Sequence, residues 1–242
     1  MHKLQITFIT ILPDMFPGPL AFSLMGKALQ EGLWSYNIVD IKDFGLSIHK
    51  KVDDKPCGGG HGMVMRPDVL GVAIDFSLQQ HGPFDKIFYM SPRGVLLKQD
   101  MALEIIGQTN QVKKIAILCG RFEGVDQRVI KYYNIEEISI GDFVISGGEL
   151  AAMTFVDCLV RLLDGFAGSK ESIFEDSFSG SLQGLLEYPL YTKPVNWQGL
   201  IVPDVLLSGN HASINAWKLE NAKSTTRSRR PDLWQLYADK SK

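Results

Sequence analysis

Three short words in this chain suit chemistry done by the backbone, and one acid pair suits chemistry done by a side chain. Cys119-Gly120-Arg121-Phe122-Glu123-Gly124 and Ser139-Ile140-Gly141-Asp142-Phe143-Val144-Ile145-Ser146-Gly147-Gly148-Glu149-Leu150 each leave an apolar run and enter a helical pattern. Glycine at such turns lets N–H and C=O groups approach a bound molecule, and in open α/β sheets ligands sit beyond those strand ends. Tyr89-Met90-Ser91-Pro92-Arg93-Gly94 ends another apolar strand and adds a third wall to one composite pocket. Glu123 and Asp142 suit hydroxyl or amino groups of a cofactor, and equally suit capping of the helices that follow. Glu175-Asp176 lies in a polar stretch, where a carboxylate either closes over substrate as a desolvated general base or remains a solvated loop charge. Cys57-Gly58-Gly59-Gly60-His61-Gly62-Met63 reads either as backbone that hugs another molecule or as a surface loop.

Several chemistries lack their signatures. No GxGxxG follows the first strand and no GxxxxGK[ST] occurs, which argues against a dinucleotide or nucleoside-triphosphate cradle. The five histidines show no HExxH spacing, so no metal ligands are assigned. Three cysteines without CxxC spacing read as reduced thiols. The amino terminus has no leader pattern and no apolar stretch is of membrane-spanning length, so a cytoplasmic protein without membrane association is expected.

The elements that must position these words alternate. Strands are expected at Leu4–Leu12, Tyr36–Ile41, Lys86–Met90, Lys114–Leu118 and Glu137–Val144. Helices are expected at Gly18–Glu31, Val69–Gln80, Lys98–Gln108, Val125–Tyr133 and Gly148–Leu163, so the fold class is α/β with a mostly parallel sheet covered on both faces. In the last helix Asp157 and Arg161 stand four apart, where side chains can pair.

With 45% hydrophobic residues the 242-residue chain can build a real core. The apolar period breaks after Asp164-Gly165, so the expected organisation is a domain over 1–167, a flexible linker or lid over 168–180, and a small, mainly helical domain over 181–242, with helices at Asn210–Lys223 and Asp232–Ala238. Charge divides the same way. Residues 181–242 hold eight Lys/Arg against five Asp/Glu, a balance of +3, leaving 17 against 22, or −5, upstream. The basic, hydroxyl-rich segment Lys223-Ser224-Thr225-Thr226-Arg227-Ser228-Arg229-Arg230 suits phosphate oxygens, although by itself a solvated basic face is the commoner reading.

Taken in order, these words resemble the bacterial tRNA (guanine-N1-)-methyltransferase family of the SPOUT class. The resemblance runs nearly end to end: Val52-Asp53-Asp54-Lys55-Pro56 with Gly58-Gly59-Gly60, the three pocket words, Glu175-Asp176-Ser177-Phe178, and Val205-Leu206-Leu207-Ser208-Gly209-Asn210-His211. It implies S-adenosyl-L-methionine as methyl donor and N1 of the guanosine at tRNA position 37, next to the anticodon, as acceptor. It also implies a deep trefoil knot around the cofactor pocket and a homodimer whose active site lies at the subunit interface, with Asp176 acting across it. By motif, Tyr89, Met90, Ser91, Pro92, Gly120, Glu123, Ser139, Ile140, Gly141, Asp142, Phe143, Val144, Ile145, Gly147 and Gly148 would bind the cofactor. Asp176 would be the general base and Arg161 the arginine beside the reacting guanine.

Lys223, Arg227, Arg229 and Arg230 would hold tRNA phosphates. Magnesium is associated with the family, yet no metal constellation is legible. The sequence departs from the family pattern at His61 and Ala151, where proline is frequent, and at Phe143, where tyrosine is frequent and could offer a hydroxyl. The rival readings are a SPOUT enzyme for another RNA position, a non-catalytic tRNA-binding protein and a small-molecule methyltransferase. Only the last predicts that 181–242 is dispensable for turnover.

Overall fold

The computed structural model describes residues 4–107, 113–167 and 176–240, which divide into two compact units, 1–166 and 167–242. In the first unit a five-stranded sheet is built from β1 (Leu4–Thr10), β2 (Trp34–Asp40), β5 (Lys86–Leu96), β6 (Lys113–Leu118) and β7 (Glu136–Ser139). The short β3 (Asp53–Asp54) and β4 (Val64–Met65) form a separate antiparallel ribbon. The sheet order is β2-β1-β6-β5-β7 and every pairing is parallel. A buried parallel sheet needs apolar residues on both faces, and β1 supplies them: Leu4, Ile6 and Phe8 enter one core while Ile9 enters the other.

Helices α1 (Ser23–Gln30), α3 (Gln99–Ile106) and α5 (Gly148–Val160) cover the first core; α2 (Pro67–His81) and α4 (Gln127–Tyr132) cover the second. Phe8 stacks on Phe16 at 4.0 Å and Phe88 meets Phe155 edge-on at 5.1 Å. α5 is apolar almost all round, with Ala152, Phe155, Val156, Leu159 and Val160 fully buried, the pattern of a helix sunk into a core.

Two strands end differently from the sequence expectation. β7 stops at Ser139 instead of continuing to Val144, because Phe143 and Val144 project into solvent and no partner strand remains at that edge. β5 continues past Met90 to Leu96: residues 91–94 bulge out, and Met90 and Val95 both pair with Ile138.

The second unit is held by Leu182, Leu185, Tyr188 and Ala222, with Trp217, Trp234 and Tyr237 packed around them. Its long helix, His211–Arg229, runs past the expected Lys223 end through Ser224-Thr225-Thr226. Thr226 explains the continuation. It is fully buried, its hydroxyl donates to the Ala222 carbonyl at 2.7 Å, and its Oγ1 accepts the Leu186 N–H at 2.9 Å. A short helix Asp204–Leu207, a helix Pro231–Lys240 and a two-strand ribbon, Asn196–Trp197 with Leu200–Ile201, also belong to the unit.

Candidate active site

β6 and β7 end beside the bulge of β5, and these segments enclose a cleft of about 220 Å³. Residues 89–92, 120–124 and 138–148 line it, together with Ala151 from α5; within the last segment only Asp142 is missing from the wall. The loops touch backbone to backbone: the Gly148 N–H donates to the Gly120 carbonyl at 2.9 Å. A Cβ on Gly148 would stand 3.0 Å from Cys119 Cα, so glycine is what allows the approach. Opposite them, the Glu123 N–H donates to the Met63 carbonyl at 2.9 Å, and this brings the glycine-rich segment before Met63 alongside Glu123. A Cβ on Gly62 would fall 2.6 Å from Glu123 Oε1.

The wall offers few side chains that react. Burial pushes the Tyr89 phenol above its ordinary pKa, with Glu137 adding to the rise, so it is neutral. Cys119 is fully buried, and its thiol is pushed well up by burial first and the Glu149 carboxylate second, which makes it inert as a nucleophile. The rest of the wall is largely N–H and C=O groups, with the hydroxyls of Ser91, Ser139 and Ser146, the Arg121 guanidinium and an exposed carboxylate, Glu123. Such a wall binds a polar ligand and leaves the reaction to groups brought from elsewhere.

A family model described as "tRNA (Guanine-1)-methyltransferase TrmD" matches residues 4–236. The chain belongs to this family. Relatives named tRNA (guanine-N(1)-)-methyltransferase include those of Ehrlichia canis, 49% identical over 95% of both chains, and Rickettsia prowazekii, 49% identical over 96% of this chain and 98% of its own. A third, from Anaplasma marginale, is 51% identical over 93% of this chain and 92% of its own.

The residues that the resemblance to this family assigns to the cofactor all lie along the cleft except Asp142. Asp142 follows Gly141, whose φ of +152° turns the chain, and its side chain is exposed outside the wall. Arg121 and Ser146 line the cleft without having been expected there. Both sit inside the glycine words, and a charged residue between Gly120 and Gly124 was the available signal for the first.

Arg161 is the C-cap of α5, at the opposite end of that helix from the cleft, and is exposed. Asp176 belongs to the second unit and is half-buried, its carbonyl accepting the Ser179 N–H at 3.1 Å. The turn after it is anchored locally: Phe178 N–H donates to Leu185 O, and Ser177 Oγ accepts from Glu187 N–H, both at 2.9 Å. Glu175 and residues 168–174 of the expected lid lie outside the described residues.

The four basic residues assigned to tRNA differ in availability. Lys223, Arg227 and Arg229 ride on the long helix and Arg230 caps it. Arg230 is bidentate to Asp232, at 2.9 and 2.6 Å, and this pairing pulls the Asp232 carboxyl down to about 2. The depressed carboxyl stays ionised until pH falls toward that lowered value, while the pair itself is solvent-exposed and can exchange for another anion. The Arg227 guanidinium lies 4.4 Å over the Trp234 ring, while on the same helix Lys223 is half-buried and Arg229 exposed.

Proposed function

We propose that this chain transfers the methyl group of S-adenosyl-L-methionine to N1 of guanosine 37 in tRNA, acting as a homodimer in the cytoplasm. Family membership gives the reaction class: a methyltransferase acting on guanine of tRNA. The single observation that carries the finer reading is the cleft, where backbone from the bulge of β5 and the ends of β6 and β7 converges at the position where open α/β sheets take ligands. The group fits. A Cβ at Gly120 would stand 2.6 Å from the Tyr89 ring, so the cradle is one that side chains would fill. Backbone amides and carbonyls suit an adenine edge and a zwitterionic tail, and Glu123 suits ribose hydroxyls. When bound, the cofactor supplies an electrophilic methyl on a sulfonium.

The chain's own side chains supply the rest. Neutral guanine carries a proton on N1, which must leave before the lone pair can attack. Asp176 accepts that proton, a contribution of roughly 10² to 10⁴ in rate. Negative charge then gathers on O6, where the Arg161 guanidinium stabilises it through a charge-assisted hydrogen bond. Among the described residues no group of three or more His, Cys, Asp or Glu side chains is placed to hold a metal ion.

Helix geometry supports the homodimer. α5 meets the cleft at Gly148 and Ala151, and at a rise of about 1.5 Å per residue the Arg161 backbone lies roughly 15 Å along the helix from Ala151. An arginine side chain does not span that distance, and a second subunit brings the group to the guanine. Phe22 and Val144, 71% and 83% exposed, are apolar surface that a second copy would cover. The family further implies a knot threaded at the loops of the cleft. The domain plan of 1–167, a lid over 168–180 and a tRNA-binding part over 181–242 completes the reading.

The test is transfer of labelled methyl to tRNA transcripts with guanosine or adenosine at position 37. Wild type is expected to label only the guanosine transcript. Asp176→Asn is expected to lose about 10² to 10⁴ in rate with cofactor affinity retained. No transfer by wild type refutes the function; full rate in the variant refutes the base.

A further inference from the structure

Between the two loops that wall the cleft lies an ionic cluster that none of the steps above uses. Glu149, the second residue of α5, is fully buried. Its Oε1 accepts the Thr10 hydroxyl at 2.9 Å and its Oε2 accepts Arg121 Nε–H at 2.8 Å. Arg121 Nη1 donates to the Ser146 carbonyl at 3.1 Å, while Nη2 lies 3.6 Å from Met15 Sδ. The Arg121 side chain is 19% exposed, so the pair is largely out of water.

The backbone makes room for this cluster. A Cβ on Gly147 would collide with the Arg121 guanidinium, while the Gly147 φ of 176° is extended geometry open to any residue. Glycine is required there for space. One guanidinium therefore ties the 119–124 loop to the carbonyl of Ser146 and to the first turn of α5, and Glu149 extends the tie to the end of β1. Burying a carboxylate is costly unless it is fully partnered, and an apolar pair would fill this volume with less penalty. The fork geometry of arginine is what an apolar pair cannot supply, because it fixes two groups in one plane.

We infer that Arg121 and Glu149 are positioning residues for methyl-donor binding: together they fix the spacing of the two cleft loops and hence the aim of their N–H and C=O groups. This rests on the reading of the cleft as the S-adenosyl-L-methionine site.

The experiment is calorimetric titration of S-adenosyl-L-methionine into the full-length protein, paired with steady-state kinetics in both substrates. Arg121→Lys keeps a positive charge beside Glu149 but cannot reach Ser146 at the same time. Glu149→Gln keeps the shape and removes the charge. Each is expected to raise the Kd and KM for the cofactor about 10-fold, with the KM for tRNA unchanged. A role in folding alone would lower the melting temperature and the fraction of active sites while leaving both KM values in place, and that result overturns the proposal. If Glu149→Gln does not fold, Arg121→Lys decides, and an unchanged cofactor Kd there overturns it. Failure of wild type to bind the cofactor is a separate outcome that removes the reading of the cleft itself and this inference with it.

Discussion

Gly120 has no side chain because Tyr89 occupies the space one would need. A Cβ there would stand 2.6 Å from ring Cε2 and 2.8 Å from the hydroxyl, and the ring cannot retreat because it is itself buried and Gly124 lies behind the hydroxyl. Gly120→Val is therefore expected to push Tyr89 into the cleft and weaken S-adenosyl-L-methionine binding by at least about 10-fold, measured by calorimetry. Wild-type affinity in that variant would show that the 119–124 backbone does not shape the site. At this scale the sequence was readable where glycine marks a close approach, as at Gly120, Gly141, Gly147 and Gly148. It was not readable for Arg121 and Glu149, because the partners are 28 residues apart and only the folded loops bring them to 2.8 Å. Asp142 stands in the same word as Glu149 but is exposed outside the cleft wall, next to Gly141 with its φ of +152°.

α5 was legible as an element because its apolar residues recur at three and four, and the structure buries it as that pattern requires. Phe155 is fully buried against Phe88 at the centre of that contact. Phe155→Ala is expected to cost about 3–5 kcal/mol, read from urea denaturation at one fixed protein concentration. A loss below about 1 kcal/mol would mean that α5 is not the keystone of this core.

β7 was less legible because Phe143, Val144 and Ile145 carry the apolar signature of a strand while serving as cleft wall and exposed surface. Apolarity needed for a ligand or partner cannot be told from apolarity needed for a sheet. The long helix was cut short for a related reason: Thr225 and Thr226 are poor helix formers, and only the burial of Thr226 overrides that propensity.

At the scale of the whole molecule, the alternation of strand and helix announced a parallel α/β unit, and the shift in charge after residue 180 raised the expectation of a separate task for the second unit. Threading is different. Periodicity records which residues face a core and is silent on the order in which the chain passes through a loop, so only the resemblance to a family pointed to a knot. The same holds for assembly, since the roughly 15 Å of helix separating Arg161 from Ala151 at the cleft becomes informative only once both ends are placed.

The central claim is that one protomer supplies the cofactor cleft and its partner supplies Asp176. The most direct measurement is methyl transfer to a guanosine-37 transcript by mixed subunits, combining Asp176→Asn protein with Gly120→Val protein after verifying that each is folded. At a cofactor concentration well below the weakened Kd of Gly120→Val, each variant alone is expected to be strongly impaired and the mixture to regain activity, because an intact cleft on one subunit then meets an intact base on the other. Active wild type together with a mixture no better than either variant, despite exchanged subunits, would contradict the account and place the whole reaction within a single chain.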